Sequence, residues 1–309
     1  MRTKTNGKGK SGRNTIPLTL LAVPGLLYLL INNYIPMAGV FIAFKEINFA
    51  KGILKSDWVG FKNFKFLFKT NDAFIMVRNT LLYNVAFIVL GIITAIFIAI
   101  LMTEVMHMLS AKIFQAGLVL PNLISMVIVS YIVYAFINAD SGFINLSILR
   151  PLGLQEINWY SEAKYWPFIL IIVNLWKTAG YSSLIYIAFI AGIDKSIYEA
   201  ARIDGAGKMK QIFQITLPML KPTVIILVLM AVGRIFSSDF GLFYQVPMNS
   251  GSIYSTTQTI DTYVYRALMQ LNDIGMSSAA GLFQSVVGFL LVMTANTLVK
   301  KIDPDNALF

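Results

Sequence analysis

The stretch "YEAARIDGAGKMKQIFQITLPML", residues 198 to 220, decides the fold because it is a charged, glycine-containing segment between two of the most hydrophobic parts of the chain. Ser196 and Glu199 have the spacing of a capping box, in which two side chains bond reciprocally to backbone N–H groups. This spacing predicts that a helix begins here. Asp204 and Gly205 then predict a turn, because glycine tolerates a positive φ and weakens a helix interior.

The second half of the segment resumes an apolar helical spacing at Met209, Ile212 and Phe213. We expect Pro218 and Pro222 to end it where the chain re-enters a hydrophobic region, because proline lacks a backbone N–H. The pattern therefore predicts a helix, a turn and a second helix, with small residues at the tip. It fits two interpretations: an interfacial helix lying on lipid, and a helix that docks in the groove of a partner protein.

The composition sets the class of protein. The 309 residues are 57% hydrophobic and 13% charged, and the mean hydropathy is +0.69, which is too apolar for an ordinary water-soluble domain. A membrane-spanning helix needs roughly 20 apolar residues. The sequence therefore predicts an all-α integral membrane protein, since the strands of a membrane barrel would alternate in polarity over about 10 residues. Six transmembrane helices are predicted, at residues 16–36, 77–101, 113–137, 166–190, 223–243 and 279–299.

The distribution of charge predicts the orientation in the membrane. Residues 1–14 form a basic tail, and the apolar run after it is longer than a signal-peptide core. Six spans put both termini on one side, and a small excess of Lys and Arg on that side predicts that it is the cytoplasm. Because the net charge of +10 is spread over both faces, it favours contact with lipid head groups over nucleic-acid binding.

The sequence offers no candidate for catalysis or metal binding. It has no cysteine, and its single histidine, His107, has no second histidine nearby, so we expect no metal ligands. No catalytic residues are predicted either, because no Ser/His/acid set or pair of intramembrane carboxylates is apparent. The letters "GAGK" at 205–208 follow no predicted strand and lack the first glycine of a phosphate-binding loop. ATP and Mg²⁺ are therefore expected to bind to a partner chain, and this chain is expected to have no cofactor.

The stretch from Glu199 to Pro218, called the docking segment below, resembles the EAA motif of type I ABC-importer permeases. The motif is Glu-Ala-Ala, three residues, Gly, nine residues, Ile, one residue and Leu-Pro. In that family the segment is a cytoplasmic coupling helix that docks in a cleft of the ATP-hydrolysing subunit. The family's phenylalanine in the second half of the motif is replaced here by Ile212, with Phe213 adjacent, so the docking helix is expected to be slightly rotated. The resemblance implies an ATPase-coupling site at Glu199, Ala200, Ala201, Asp204, Gly205, Ala206, Ile215, Leu217 and Pro218.

Stretches across nearly the whole chain, such as "YIPMAGVFIAFKEIN" (34 to 48) and "NLWKTAGYSSLIYIAFIAGID" (174 to 194), are similar to the LplB-type subfamily of carbohydrate permeases. The resemblance implies a single permease domain, residues 15–303, with a coupling loop at 191–222 and a short cytoplasmic C-terminus at 304–309. It also implies a prokaryotic cell membrane, a second homologous permease forming a heterodimer, two ATP-binding subunits, an extracytoplasmic solute-binding protein and an oligosaccharide cargo.

Other functions fit the composition less well. The same architecture could import an amino acid or an ion instead of a sugar. A proton-coupled secondary transporter is disfavoured because the predicted spans lack the acidic relay expected of one. An intramembrane enzyme is disfavoured because no catalytic set was found.

Two cations stand where charges are expensive in a membrane. Lys177 is predicted near the middle of the fourth span and Arg234 near the middle of the fifth, without Asp or Glu at similar depth. These side chains can bond backbone carbonyls of a neighbouring helix or extend to the interface, or they can line a water-filled passage. Because Asn174, Trp176 and Tyr181 flank Lys177 and suit a sugar passage, we predict a cavity at the permease interface that prefers uronate-containing oligosaccharides.

Overall fold

The computed structural model describes residues 15–65, 67, 70–105, 108–302 and 304. The predicted basic tail, residues 1–14, lies outside the described residues, as do 305–309 of the predicted C-terminus and His107. The longer α-helices within the described ranges are α1 (Thr15–Leu29), α2 (Asn71–Val105), α3 (Met108–Leu123), α4 (Met126–Ile137), α5 (Trp166–Ala191), α6 (Lys195–Ile203), α7 (Leu217–Val232), α8 (Ile260–Leu271) and α9 (Ile274–Ile302).

The helical segments account for six candidate membrane spans in the described parts of the chain. Five are long and apolar enough to cross a membrane alone: Thr19–Phe44, Asn71–Glu104, Ala163–Ala191, Lys208–Val232 and Ile274–Lys301. Ile113–Leu123 and Met126–Ile137 make a sixth only as a pair, because they meet at an angle of 94°. This agrees with the predicted all-α architecture.

The third span is not the single straight helix predicted for 113–137. It breaks at Ile124, between α3 and α4, three residues after Pro121. The Ser125 side chain accepts a hydrogen bond from the backbone N–H of Ile128 at 3.4 Å and so caps the new helix. Proline and an N-cap residue at this spacing make the break a local property of the sequence.

The fifth span lies about half a span earlier than the predicted 223–243, because a short helix (Lys208–Gln211) and a π-helical turn (Ile212–Thr216) run directly into α7. Pro218 and Pro222 therefore lie inside the helical segment, and the prediction that they end it is wrong. Pro218 lies in the first turn of α7, where proline is tolerated because its missing N–H needs no partner within the helix.

Close backbone approaches fix how the spans pack. α2 lies along α5, and α3 crosses α5 at Gly180, where a Cβ would lie 2.0 Å from the Leu118 carbonyl oxygen. A Cβ on Gly288 of α9 would lie 2.8 Å from the Gly233 carbonyl oxygen at the end of α7. Both glycines are therefore needed for the packing of their helices.

The connections gather on two opposite faces, which we call the loop face and the cap face. On the loop face, α6 and the residues up to 211 lie beside the end of α2, since Lys208 forms an ion pair with Glu104. The cap face holds residues 45–65, 138–165 and 233–273. Its connections are joined by hydrogen bonds such as Ser250 Oγ to the Tyr160 carbonyl oxygen at 2.9 Å, and Arg78 Nη2 to the Ser255 carbonyl oxygen at 2.8 Å.

A small folded unit closes the first connection on the cap face. The two-residue strands β1 (Lys45–Glu46) and β2 (Asp57–Trp58) pair antiparallel. Lys45 is 3% exposed, and its Nζ donates to the Leu54 carbonyl oxygen at 2.6 Å. The Asn63 side chain donates to the Lys45 carbonyl oxygen at 2.8 Å, and the same carbonyl lies against Gly275 at the start of α9. These bonds fix the first connection to the last span.

Candidate coupling and passage sites

The predicted docking segment begins with α6 on the loop face. Asp194 caps this helix, and its side chain accepts a hydrogen bond from the Ser196 backbone N–H at 2.9 Å. The same bond lowers the pKa of the Asp194 carboxyl, because it stabilises the charged form. The predicted capping box of Ser196 and Glu199 is therefore wrong. A carboxylate close to the free N–H groups at the start of a helix is favoured there also by the helix dipole.

The predicted turn follows α6. Gly205 has a φ of +76°, a left-handed conformation that glycine adopts without a steric penalty. The Ala206 N–H donates to the Ala201 carbonyl oxygen at 2.8 Å, which closes the end of the helix. A Cβ built on Gly205 would meet no atom within 4 Å, so the tip of the turn is open. The predicted break at Gly205 is confirmed.

Three side-chain contacts fasten the segment to the spans. Lys208 pairs with Glu104 at the end of α2. The Tyr198 hydroxyl lies 2.9 Å from the Thr216 hydroxyl, so α6 is tied to the start of the fifth span. Gln211 is buried, and its Nε2 donates to the carbonyl oxygen just after the turn at 2.8 Å. A force applied to α6 is therefore carried directly to two spans.

The tip of this segment exposes large apolar side chains. Ile203 is 87% exposed, Met209 65% and Phe213 61%, although they lie on the loop face between polar residues. Ile212, in contrast, is half-buried, so the phenylalanine next to it is the side chain that points outward. Of the predicted coupling residues, Glu199, Ala200, Asp204, Gly205 and Pro218 are exposed, and Ala201, Ala206, Ile215 and Leu217 are half-buried.

Lys177, the first predicted passage cation, lies at the centre of α5 and faces the break in the third span. Its Nζ donates to the carbonyl oxygens of Pro121 at 3.3 Å and Asn122 at 3.1 Å, and also to that of Ile124. The break leaves carbonyls here short of helical donors, and the lysine supplies one, although the Pro121 oxygen also accepts from the Ile124 N–H at 3.3 Å. The structure thus shows the alternative in which the basic side chain bonds backbone carbonyls of a neighbouring helix.

Arg234, the second predicted passage cation, is not near the middle of a span. α7 ends at Val232, and Arg234 lies exposed in the turn that follows, on the cap face. The prediction failed because hydropathy alone placed the fifth span too late in the chain.

The remaining predicted passage residues occupy two sides of α5. A helix turns about 100° per residue, so Asn174 and Tyr181, seven residues apart, share one face. Trp176 lies about 140° around the helix from Tyr181. Asn174 is half-buried, whereas Trp176 and Tyr181 are exposed. The structure therefore places Asn174 with Tyr181 and separates Trp176 from them.

Sequence reasoning missed a row of hydroxyl groups beside that face. Thr178, Ser182 and Tyr186 line a cavity of about 260 Å³ between α2, α5 and α7. Tyr186 is 1% exposed, and its hydroxyl has no hydrogen-bond partner within the described ranges. The spacing of four residues, which aligns side chains along one helix face, was a signal in the sequence that could have found this row.

Comparison with known proteins matches this architecture. Residues 87–305 match the model of the family described as "Binding-protein-dependent transport system inner membrane component". Protein LplB of Bacillus subtilis (strain 168) is 35% identical over 306 residues, which cover 98% of this chain and 95% of that protein. The polygalacturonan/rhamnogalacturonan transport system permease protein YteP of the same organism is 34% identical over 284 residues, 92% of this chain and 88% of that protein.

A solved structure has the same fold. It is the crystal structure of a bacterial ABC transporter involved in the import of the acidic polysaccharide alginate. The TM-score is 0.84 at 30% identity, and the match covers 93% of this chain and 96% of that chain.

Proposed function

This chain belongs to the family of binding-protein-dependent transport system inner membrane components, and we propose that it imports oligosaccharides as one of two permeases in an ABC importer. As a member of that family it is a membrane-embedded transport subunit rather than an enzyme, and it works with a solute-binding protein. The similarity to LplB and YteP confirms the predicted carbohydrate-type subfamily.

The finer assembly is part of the proposal. A second, homologous permease pairs with this chain, and two copies of an ATPase bind ATP and Mg²⁺. The loop face lies in the cytoplasm of a prokaryote together with both termini, and the cap face meets the extracytoplasmic binding protein. The slight excess of Lys and Arg on the side of the termini supports this orientation.

The exposed apolar tip of the 191–222 loop is the observation that carries the coupling role. Ile203, which lies outside the candidate spans, leaves apolar surface exposed on the loop face, where its burial by a partner would be favourable. The small residues Ala200 and Gly205 allow another backbone to approach closely. An amphipathic helix with these properties fits a groove on a partner protein. We assign this groove to the ATPase.

The cargo is proposed from the relatives and from the chemistry of the passage. YteP is a polygalacturonan/rhamnogalacturonan permease, and the alginate transporter imports an acidic polysaccharide. We therefore propose an oligosaccharide that contains uronate residues. Asn174 and Tyr181 offer an amide and an aromatic ring on one face of α5, which suit sugar hydroxyls and sugar rings. In this proposal Lys177 holds the helix break next to that face, and Trp176 and Arg234 contact the cargo only toward the partner permease or the cap face.

The assembled transporter tests the proposal. Membranes that contain both permeases, the ATPase and the binding protein are expected to take up an oligogalacturonate only when ATP and the loaded binding protein are present. Ile203→Asp is expected to lower retention of the ATPase on the purified permeases, because it places a charge in an apolar groove. Leu154→Asp, which also places a charge at an exposed apolar residue but on the cap face, is the control and should retain the ATPase. Equal retention by both variants would contradict the docking assignment.

Orientation has an independent test. A single cysteine at Lys62, which is exposed on the cap face, should react with a membrane-impermeant maleimide added outside intact cells. A cysteine at Arg202, exposed on α6, should react only after the cells are opened. The reverse pattern would place the docking segment outside and refute the orientation.

A further inference from the structure

A polar cleft opens on the cap face, far along the chain from the docking segment. It has a volume of about 370 Å³ and lies between the start of α2, the short helix Tyr254–Thr257 and α8. No function assigned above uses it. Its polar wall consists of Asp72, Tyr254, Gln258, Tyr263, Arg266 and Gln270.

Arg266 is the cation of this cleft, and its guanidinium is incompletely bonded. Its Cζ lies 4.1 Å from the centroid of the Tyr254 ring, and Nη1 donates to Asn249 Oδ1 at 3.2 Å. Nη2 is enclosed, and the described part of the chain supplies no acceptor for it. Within that same part, no carboxylate lies within salt-bridge distance of Arg266. Arg266 also lines the cleft itself, and Asp72 across the cleft favours its charged form only from beyond salt-bridge distance.

A half-buried cation without an anion is unfavourable, because water no longer solvates the charge fully. Burial lowers the pKa of the Arg266 guanidinium, which shows the direction of this penalty. The Tyr254 ring offsets part of it by a cation–π contact. A carboxylate would offset more, because the guanidinium fork matches its two oxygens in a bidentate geometry.

The surroundings hold the arginine in place for a ligand. The Tyr254 hydroxyl donates to Asn249 Oδ1 at 2.8 Å. This bond holds in place the two groups that contact the guanidinium, namely the Tyr254 ring and the Asn249 amide. Asn249 has a φ of +47°, a left-handed conformation that an asparagine adopts at some cost and that these bonds maintain. The arginine is thus positioned before any ligand arrives.

The other cleft residues suit a sugar better than a simple anion. The tyrosines 254 and 263 offer aromatic rings, and Asp72, Gln258 and Gln270 offer oxygens that can accept hydrogen bonds from sugar hydroxyls. Asp72 repels any anion, and an anion that also carries hydroxyl groups offsets this repulsion by donating hydrogen bonds to the Asp72 carboxylate. A ligand that carries both a carboxylate and hydroxyl groups matches the whole set.

We infer that this cleft is an outer saccharide site, in which Arg266 binds the carboxylate of a uronate while Asp72 and the tyrosines contact its hydroxyls and ring. This inference rests on the proposed import of uronate-containing oligosaccharides, and it names a site for them before they enter the membrane. A carboxylate could also come from a side chain of the binding protein. The recessed guanidinium and the carboxylate of Asp72 favour the sugar, which can enter a cleft and donate hydrogen bonds.

The test uses the assembled transporter in lipid nanodiscs without the binding protein. The probes are trigalacturonate and its carboxyl-reduced form, which has the same ring linkage and no charge. Calorimetry is expected to show tighter binding of trigalacturonate by the wild type. Arg266→Gln should weaken this binding about tenfold or more, since hydrogen bonds to charged groups are strong, and should leave the reduced probe unaffected. Arg266→Lys keeps the charge, and its affinity for trigalacturonate should lie between those of the wild type and Arg266→Gln.

Arg150→Gln is the matched control, because Arg150 also lies on the cap face but pairs with Glu156 in an exposed position. It should bind both probes like the wild type. Equal binding of the two probes by the wild type would overturn the inference. So would an equal loss of both probes in Arg266→Gln, because a contact with the carboxylate should leave the reduced probe unaffected.

A docking assay separates the two sources of carboxylate. If Arg266→Gln weakens docking of the loaded binding protein while free trigalacturonate still binds normally, the partner of Arg266 is a protein side chain and the inference is wrong. ATP-driven uptake of the carboxyl-reduced oligosaccharide by the wild type tests the transport function separately. Uptake of this neutral oligosaccharide would support the proposed permease role even if the cleft bound no uronate.

Discussion

Replacing Gly205 by alanine is expected to uncouple ATP hydrolysis from transport without adding bulk that reaches any neighbour. The residue has a φ of +76°, and a Cβ there would meet no atom within 4 Å. The whole cost is therefore backbone strain, roughly 1–2 kcal/mol for a non-glycine residue in the left-handed region. Strain of this size changes the population of the native turn by a factor of about 5 to 30.

Gly207 provides the matched control, because it lies two residues away in the same loop. Its backbone has φ −65° and ψ 166°, which any residue adopts, and a Cβ there would also meet no atom within 4 Å. Gly207→Ala should therefore transport like the wild type. Gly205→Asn should be milder than Gly205→Ala, since asparagine tolerates the left-handed region better.

The assay is the number of ATP molecules hydrolysed per oligosaccharide taken up, measured in proteoliposomes with the ATPase and the loaded binding protein. The ratio should rise for Gly205→Ala and rise most for Gly205→Trp, whose side chain also obstructs docking of the tip. If Gly205→Ala and Gly207→Ala gave the same ratio, or if Gly205→Trp transported normally, the turn would have no role in coupling.

Three further changes test the packing around the sites. The effects of Glu104→Gln and Lys208→Met on coupled uptake should be non-additive in a double-mutant cycle, with an interaction energy of about 0.2–1 kcal/mol as for other partly exposed ion pairs. Strict additivity would refute the link between the docking segment and α2. Lys177→Met should lower the thermal unfolding temperature and reduce uptake of acidic and neutral sugars alike, because it removes the amine that the carbonyls at the helix break share, a loss of about 1–3 kcal/mol for a group left unsatisfied. A selective loss of acidic cargo would contradict this. Gly180→Ala should destabilise the protein by about 1–3 kcal/mol through its clash with α3, whereas Gly117→Ala, with open space around its Cβ, should not. Equal melting temperatures of the two variants would refute the close approach of α3 and α5.

The features that the sequence predicted correctly depend on local chemistry. Gly205 follows an aspartate and interrupts an apolar pattern, so a turn was predictable from a few neighbouring residues. The spans are long apolar runs, and these also are visible locally. The cap of α6 was misassigned to Ser196 because Asp194 offers an equally good cap two residues earlier, and short-range patterns do not distinguish the two.

The features that it missed depend on contacts between distant residues. The role of Lys177 follows from the position of α3 and α4, which lie about 50 residues earlier in the chain. Arg234 was placed too deep because the fifth span begins at Lys208, in a polar stretch whose side chains contact α2 and α6. A hydropathy window does not contain this information.

The position of charge along the path has a consequence for transport. A cation in the middle of the membrane would bind a uronate in a dry environment, where the attraction is strongest and release is slowest. Passage requires that each site bind well enough to receive the cargo and weakly enough to release it. In this chain the mid-membrane amine of Lys177 already bonds three carbonyls, while Arg266, on the cap face, lines an open cleft and has no carboxylate within salt-bridge distance among the described residues. Charge recognition is thus better placed at the outer end of the path, in a half-buried cleft that opens to water, and the hydroxyl and aromatic groups of α5 can then pass the sugar onward without holding its charge.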